Sequence, residues 1–196
     1  MKKIKKMGFN VIQNLLGNLN SKKYWDKKLE RKKSWENRNT IYEELKKVIP
    51  EGTQSLLDIG CSLGDGCIAL KKIFPKVVIE GCDFSEVGIE EAKKKANNVH
   101  FYLLDIMKND IPKNYDCILL ISILEHLEEY ESVIKKCLKH CKTLIISCPY
   151  NERVSFLGLK PSEHLHSFNE KTLKHYHAKP LVEGKRITYT VNGELI

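Results

Sequence analysis

No stretch of about 18 uninterrupted apolar residues occurs in the 196-residue chain, so no segment is expected to span a membrane. No two of the seven cysteines (61, 67, 82, 117, 137, 141 and 148) have the C-x2-C spacing that a structural zinc site prefers, and most lie inside apolar runs. They read as reduced packing residues. Internal repeats and low-complexity segments are also missing, which leaves one compact domain with a possible appended arm. The opening MKKIKKMGFNVIQNLLGNLN is basic, but Asn10, Gln13, Asn14 and Asn18 interrupt any apolar signal core, so the cytoplasm is the expected location.

The net charge of +8 is unevenly spread. Residues 1–50 hold 14 Lys/Arg against 5 Asp/Glu, whereas residues 51–196 hold 19 against 20. The basic surplus therefore belongs to an arm (1–50) and not to the main domain (51–196), where a nucleic-acid enzyme would carry its footprint. No nucleic-acid partner is expected. Lys2, Lys3, Lys5 and Lys6 would instead suit an anionic surface or membrane.

Within the arm, Ile4, Met7, Val11, Leu15 and Leu19 recur at helical steps. Ser21 is placed to cap a second helix through SKKYWDKKLERKKSW, with Trp25 and Leu29 on one face, and TIYEELKKVI forms a third. Beyond Gly52, apolar runs alternate with helical ones, the pattern of a parallel sheet covered by helices. Strands are predicted at SLLDIG, VVIEGCD, VHFYLLD, YDCILLIS, TLIISCP and RITYTV, and helices from Asp65, Ser85, Leu124 or Glu128, and Asn169. Asn192 and Gly193 offer a hairpin turn, but only three residues follow, too few for a full further strand.

The first three strands each end in an aspartate, Asp58, Asp83 and Asp105, and the first runs into a glycine-rich turn, DIGCSLGDG. Carboxyl ends of adjacent parallel strands line one crevice, so these acids are expected to face a common slot. A dinucleotide site would need G-x-G-x-x-G at this turn, but Ser62 and Asp65 stand where glycines belong; the match at Gly64, Gly66 and Ala69 starts too late.

DIGCSLGDG resembles motif I of the class I S-adenosylmethionine-dependent methyltransferases, with Ser62 replacing its middle glycine. EGCDFS, FYLLDI and YDCILLISILEHLEE fall in register with the later motifs. The last is similar to the small-molecule branch that includes quinone-biosynthesis methyltransferases. The resemblance covers about residues 40–175. It implies a Rossmann-like, doubly wound α/β fold with a mostly parallel sheet and helices on both faces, and the amphipathic helices before the first strand are expected to fold over the cleft as an N-terminal helical lid. It also implies that S-adenosyl-L-methionine is held by Asp58, Gly60, Cys61, Ser62 and Gly64, by Asp83 and Phe84, by Asp105 and Ile106, and by Ile121.

Methyl transfer from a sulfonium needs mainly alignment, so a catalytic base is helpful but not obligatory. His126 follows the fourth strand in the family's "EH" position, and an imidazole suits proton removal near neutrality. PSEHLHSFNEKTLKHY resembles the stretch after strand five, where His164 and His166 are candidates for a base or substrate contact. His164-x-His166 and His175-x-His177 invite a metal, but no carboxylate or cysteine completes a familiar spacing and none is expected. SCPYN resembles the signature of amino-methylating enzymes, yet has Cys148 for its first proline and follows strand five instead of four. The expected reaction is methyl transfer to a small-molecule acceptor, at oxygen, with a lipid-linked or sugar metabolite possible. The alternatives are an RNA methyltransferase and a non-catalytic cofactor-binding protein.

Overall fold

The computed structural model describes residues 20–31, 39–152 and 163–193. The first predicted helix, with Ile4 through Leu19, and the Lys2–Lys6 cluster lie outside them. The described helices before the sheet are α1 (Lys22–Glu30) and α2 (Asn39–Glu44), the latter extended by a 3-10 turn over Leu45–Lys47. Ser21 caps α1 as expected, its hydroxyl accepting from the Tyr24 N–H at 3.3 Å.

The remaining elements are β1 (Ser55–Ile59), α3 (Asp65–Ile73), β2 (Val78–Asp83), α4 (Glu86–Lys95), β3 (His100–Leu103), β4 (Tyr115–Ile121), α5 (Tyr130–Leu138), β5 (Cys141–Pro149), β6 (Lys179–Glu183) and β7 (Arg186–Asn192). Together the strands form one sheet in the order β3-β2-β1-β4-β5-β7-β6. Strands β1 to β5 pair in parallel, while β7 is antiparallel to both neighbours. Ser85 caps α4 by accepting from Gly88 N–H.

The strands divide their side chains by the two-residue period. In β1 and β4, Leu56, Cys117, Leu119 and Ile121 pack with Tyr42, Leu45, Cys67, Leu70 and Ile89 from α2, α3, α4 and the 3-10 turn. Leu57, Ile59, Ile118 and Leu120 pack on the other face with Val133, Ile134 and Leu138 of α5. The sheet is thus doubly covered. All seven cysteines are free and buried, as packing residues should be.

Two expectations change. No α-helix starts at Asn169; its side chain accepts from Lys171 N–H and its own N–H donates to Thr172, a local capping pattern that closes a turn, and only a 3-10 turn follows at Lys174–Tyr176. The hairpin at the C-terminal end sits earlier than expected. Its two-residue loop is Gly184 and Lys185, with Gly184 at φ +58°, so RITYTV is the second arm of a hairpin and β6 is the strand that went unpredicted. Every residue of β6 is exposed, so it lacks an apolar signature, and its Pro180 is tolerated at an edge. The residues that would follow a turn at Asn192-Gly193 lie outside the described ones; within these, β7 has a neighbour on each side and the Gly193 N–H donates to Lys142 O.

Candidate active site

A cavity of about 310 Å³ opens at the carboxyl ends of β1, β2 and β4. Its floor is the first turn, represented by Gly60 and Ser62, and one side holds Asp83, Phe84, Asp105 and Ile106. Ile121, Ser122, Ile123 and His126 form the side after β4. Opposite them, Trp25 and Leu29 of α1 supply an apolar wall. Of the predicted binding residues, Gly60, Ser62, Asp83, Phe84, Asp105, Ile106 and Ile121 line this space, as does His126.

The glycine turn is tight for two reasons. Gly60 has φ +77°, and a Cβ there would come within 2.1 Å of Ile123, itself a cavity residue. Gly66, one residue into α3, lies under the ring of Tyr42, which a Cβ would meet at 2.0 Å. Part of the glycine content therefore serves packing beneath the turn. Ser62 keeps the left-handed conformation (φ +54°) without being glycine, and its N–H donates to Asp83 Oδ2 at 2.8 Å.

Asp83 is held at the rim by backbone. Its carboxylate also accepts from Ser85 N–H at 2.9 Å, and burial pushes it up to about 6 against the pull of these donors. Asp105 accepts from Met107 N–H and pairs with Lys108 at 2.8 Å. These two strand-end acids do face one slot.

Asp58 does not. It is fully buried, outside the cavity, and accepts from the Tyr42 hydroxyl at 3.1 Å and the Cys67 thiol at 3.5 Å. Alternation along β1 explains the correction: Asp58 follows Leu56 onto the face covered by α2 and α3. Burial pushes its carboxyl up to about 7. Cys61 and Gly64 also lie beneath the turn, where Cys61 joins the core and Gly64 caps α3 in the left-handed region.

His126 points its Nδ1 at Glu163 O (3.1 Å), leaving Nε2 as its other ring nitrogen. Burial, followed by repulsion from His164, lowers it to about 4, so the ring is neutral at pH 7. Trp25 stands edge-on to it with centroids 5.2 Å apart. His164 and His166 lie outside the cavity lining, and both rings turn toward the segment after β4. His164 meets His126 at 4.7 Å and bonds Glu152, while His166 Nε2 bonds Leu127 O at 2.8 Å. The ring of Tyr130 also stands edge-on to His166, with centroids 4.8 Å apart.

Trp25, Leu29, Leu104, Met107, Ser122 and Ile123 are among the further lining residues that had not been marked as site residues. The shared face of Trp25 and Leu29 was the one signal in the sequence that could have found a wall. The α1 wall is fastened to the segment after β5 by Glu163, which receives Lys28 Nζ at 2.6 Å and the Tyr24 hydroxyl.

Residues 56–143 match the family described as a methyltransferase domain. The chain is 33% identical over 87 residues to malonyl-[acyl-carrier protein] O-methyltransferase of Bacillus anthracis, covering 43% of this chain and 32% of that protein. It is 33% identical over 89 residues to (S)-coclaurine N-methyltransferase of Thalictrum flavum subsp. glaucum, covering 42% and 24%. The matches thus span a third or less of these curated relatives. Among solved structures, magnesium protoporphyrin IX methyltransferase from Synechocystis PCC 6803, with bound SAH, superposes with a TM-score of 0.59 at 19% identity, over 81% of this chain and 83% of that one. Residues 56–143, less than half of the chain, thus resemble a methyltransferase domain, and the described residues share the fold of the SAH-bound structure.

Proposed function

We propose that this chain transfers a methyl group from S-adenosyl-L-methionine to a small-molecule acceptor, at oxygen, with the cofactor in the cavity above β1, β2 and β4. The observation that carries this reading is the pairing of two rim carboxylates with a close-approach glycine turn in one space: Asp83 and Asp105 stand beside Gly60 and Ser62. Asp83 and Asp105 can accept from the sugar hydroxyls and base amine of an adenosyl group, and Ile106, Phe84 and Leu104 offer apolar surface to the ring. The apolar wall of Trp25 and Leu29 would exclude water from the sulfonium, the condition under which positioning and electrostatics act most strongly. In this reading α1 is the lid expected of the arm.

His126 is the base in this proposal. Its neutral ring lies on the cavity wall and can take a proton from an acceptor hydroxyl, as a weaker base than an ordinary imidazole. Homologous domains occur in proteins named for O- and for N-methylation, and the absence of the amino-methylating signature after β4 favours oxygen. Titration calorimetry with S-adenosylhomocysteine tests the cofactor reading. Binding that is weakened at least about tenfold (about 1.4 kcal/mol) in Asp83→Ala supports it, and no uptake by the wild-type chain overturns it.

A further inference from the structure

Beside the cavity, a glutamate and two histidines from different parts of the chain converge. Glu125 lies in the 3-10 turn after β4, His126 follows it, and His164 arrives from the segment beyond β5. One ligand atom from each lies within 4.8 Å of the other two.

Glu125 is the telling member. It is 1% exposed, and neither carboxylate oxygen has a hydrogen-bond partner among the described residues. Burying an unpartnered carboxyl is costly, and such groups are rare without a bound ion or water to satisfy them. The Cys148 thiol that faces it is a weak donor, and Arg186 acts on it only through charge.

Both histidines are already arranged as ligands. His126 Nδ1–H donates to the Glu163 carbonyl and His164 Nδ1–H to the Glu152 carboxylate, so Nε2 is the nitrogen through which each ring would coordinate. A backbone carbonyl or carboxylate behind the far nitrogen is the support that metal-bound histidines generally receive. Glu163 is itself fixed by Lys28, so the support reaches into α1.

We propose that Glu125, His126 and His164 form a site for one divalent first-row transition metal, with its remaining coordination position toward the cavity that His126 lines. Two imidazoles and a carboxylate suit zinc and its neighbours better than magnesium or calcium, which favour all-oxygen shells. With bonds of about 2.0–2.2 Å, ligand atoms around a tetrahedral ion stand about 3.4 Å apart, so side-chain movements of about an ångström close the present spacing. Of the two H-x-H pairs, His175 and His177 take no part, and the carboxylate comes from a turn some forty residues before His164.

The role of the metal rests on the methyltransferase reading; its binding does not. An acceptor hydroxyl bound to the ion would lose its proton to water near neutral pH. The resulting oxyanion would form its bond to the methyl carbon as the carbon–sulfur bond breaks, leaving the electron pair on a neutral thioether. In that arrangement His126 holds the metal, and the metal replaces it as the group that activates the hydroxyl.

The test uses the purified full chain, stripped with EDTA and titrated with Co(II) as a spectroscopic stand-in for zinc, followed by visible absorption. One equivalent with the ligand-field bands of low-coordinate cobalt is expected, weakened at least about tenfold in both Glu125→Gln and His164→Ala. S-adenosylhomocysteine affinity, measured on the same samples, should stay within about twofold in His164→Ala, since His164 does not line the cavity. Failure of the wild-type chain to bind cobalt stoichiometrically overturns the site, as does unchanged binding in the variants. Should Glu125→Gln not fold, His164→Ala alone decides, because its partly exposed side chain can be removed without opening the core. Cobalt binding without S-adenosylhomocysteine binding would retain the metal and discard the methyltransferase reading, and the converse would do the reverse.

Discussion

The floor of the cavity and the wall facing it are built on different principles. Beneath the floor, Asp58, Cys67, Tyr42 and Gly66 are packed so closely that a single added methyl group has no place to go. Across the cavity, α1 is held by side-chain polar contacts: Lys28 and Tyr24 on Glu163, and Ser85 and Lys22 on Asp26. Dense packing fixes geometry because every displacement loses many small contacts at once. A few partly exposed ion pairs fix it weakly, since water competes for each. Displacing the turn therefore costs more contacts than displacing the facing helix.

Charge beneath the floor should give the largest effect. The Asp58 carboxyl, pushed by burial to about 7 from an ordinary value of 3.8, stays protonated in the folded chain while ionising in the unfolded one. Folding thus retains a proton between about pH 4 and 7, and the stability associated with this group falls as pH rises through that window. His126, lowered to about 4, works in the opposite direction, so the comparison needed is between wild type and Asp58→Asn. Urea unfolding at pH 4.5 and 7.5 should show the difference between the two proteins changing by up to about 3 kcal/mol in favour of the variant at the higher pH. An equal difference at both pH values would remove Asp58 from the floor's electrostatics.

Next comes packing. Gly66→Ala should lower stability by about 3 kcal/mol, the upper end for overpacking, because the Tyr42 ring that blocks the new methyl is itself bonded to Asp58. A loss below about 0.5 kcal/mol would mean that the floor yields as readily as the wall. Ser62→Gly should act in the other direction, gaining up to about 1 kcal/mol in thermal or urea unfolding by relieving a left-handed backbone. The smallest change in global stability is expected for Lys28→Ala, under about 1 kcal/mol, as for a partly exposed pair. Hydrogen exchange should nevertheless quicken through residues 22–30 in that variant while β1 remains protected; uniform exchange across both regions would erase the distinction between them.

Much of this architecture was legible beforehand, and the reasons are specific. Strands buried on both faces leave continuous apolar runs, so β1, β2, β4 and β5 stood out, and Ser21 and Ser85 marked the starts of α1 and α4 by their capping chemistry. Strand β6 did not, because an exposed edge strand containing proline has no pattern to show. Within the site, Asp83 and Asp105 could be placed from their positions at strand ends, whereas Asp58 could not. Which of three equivalent-looking carboxylates faces the slot depends on the pleat and on what covers each face.

Residue order along the chain was enough to dictate an alternating α/β chain, a glycine turn after the first strand and acids at three strand ends, since hydrophobic period, capping and turn chemistry act between near neighbours. Only the folded structure decided that Asp58 is sealed, that Trp25 and Leu29 wall the cavity, and that Glu125, His126 and His164 meet. Those outcomes depend on segments far apart along the chain being brought together by the sheet, and no local rule encodes the distance between them.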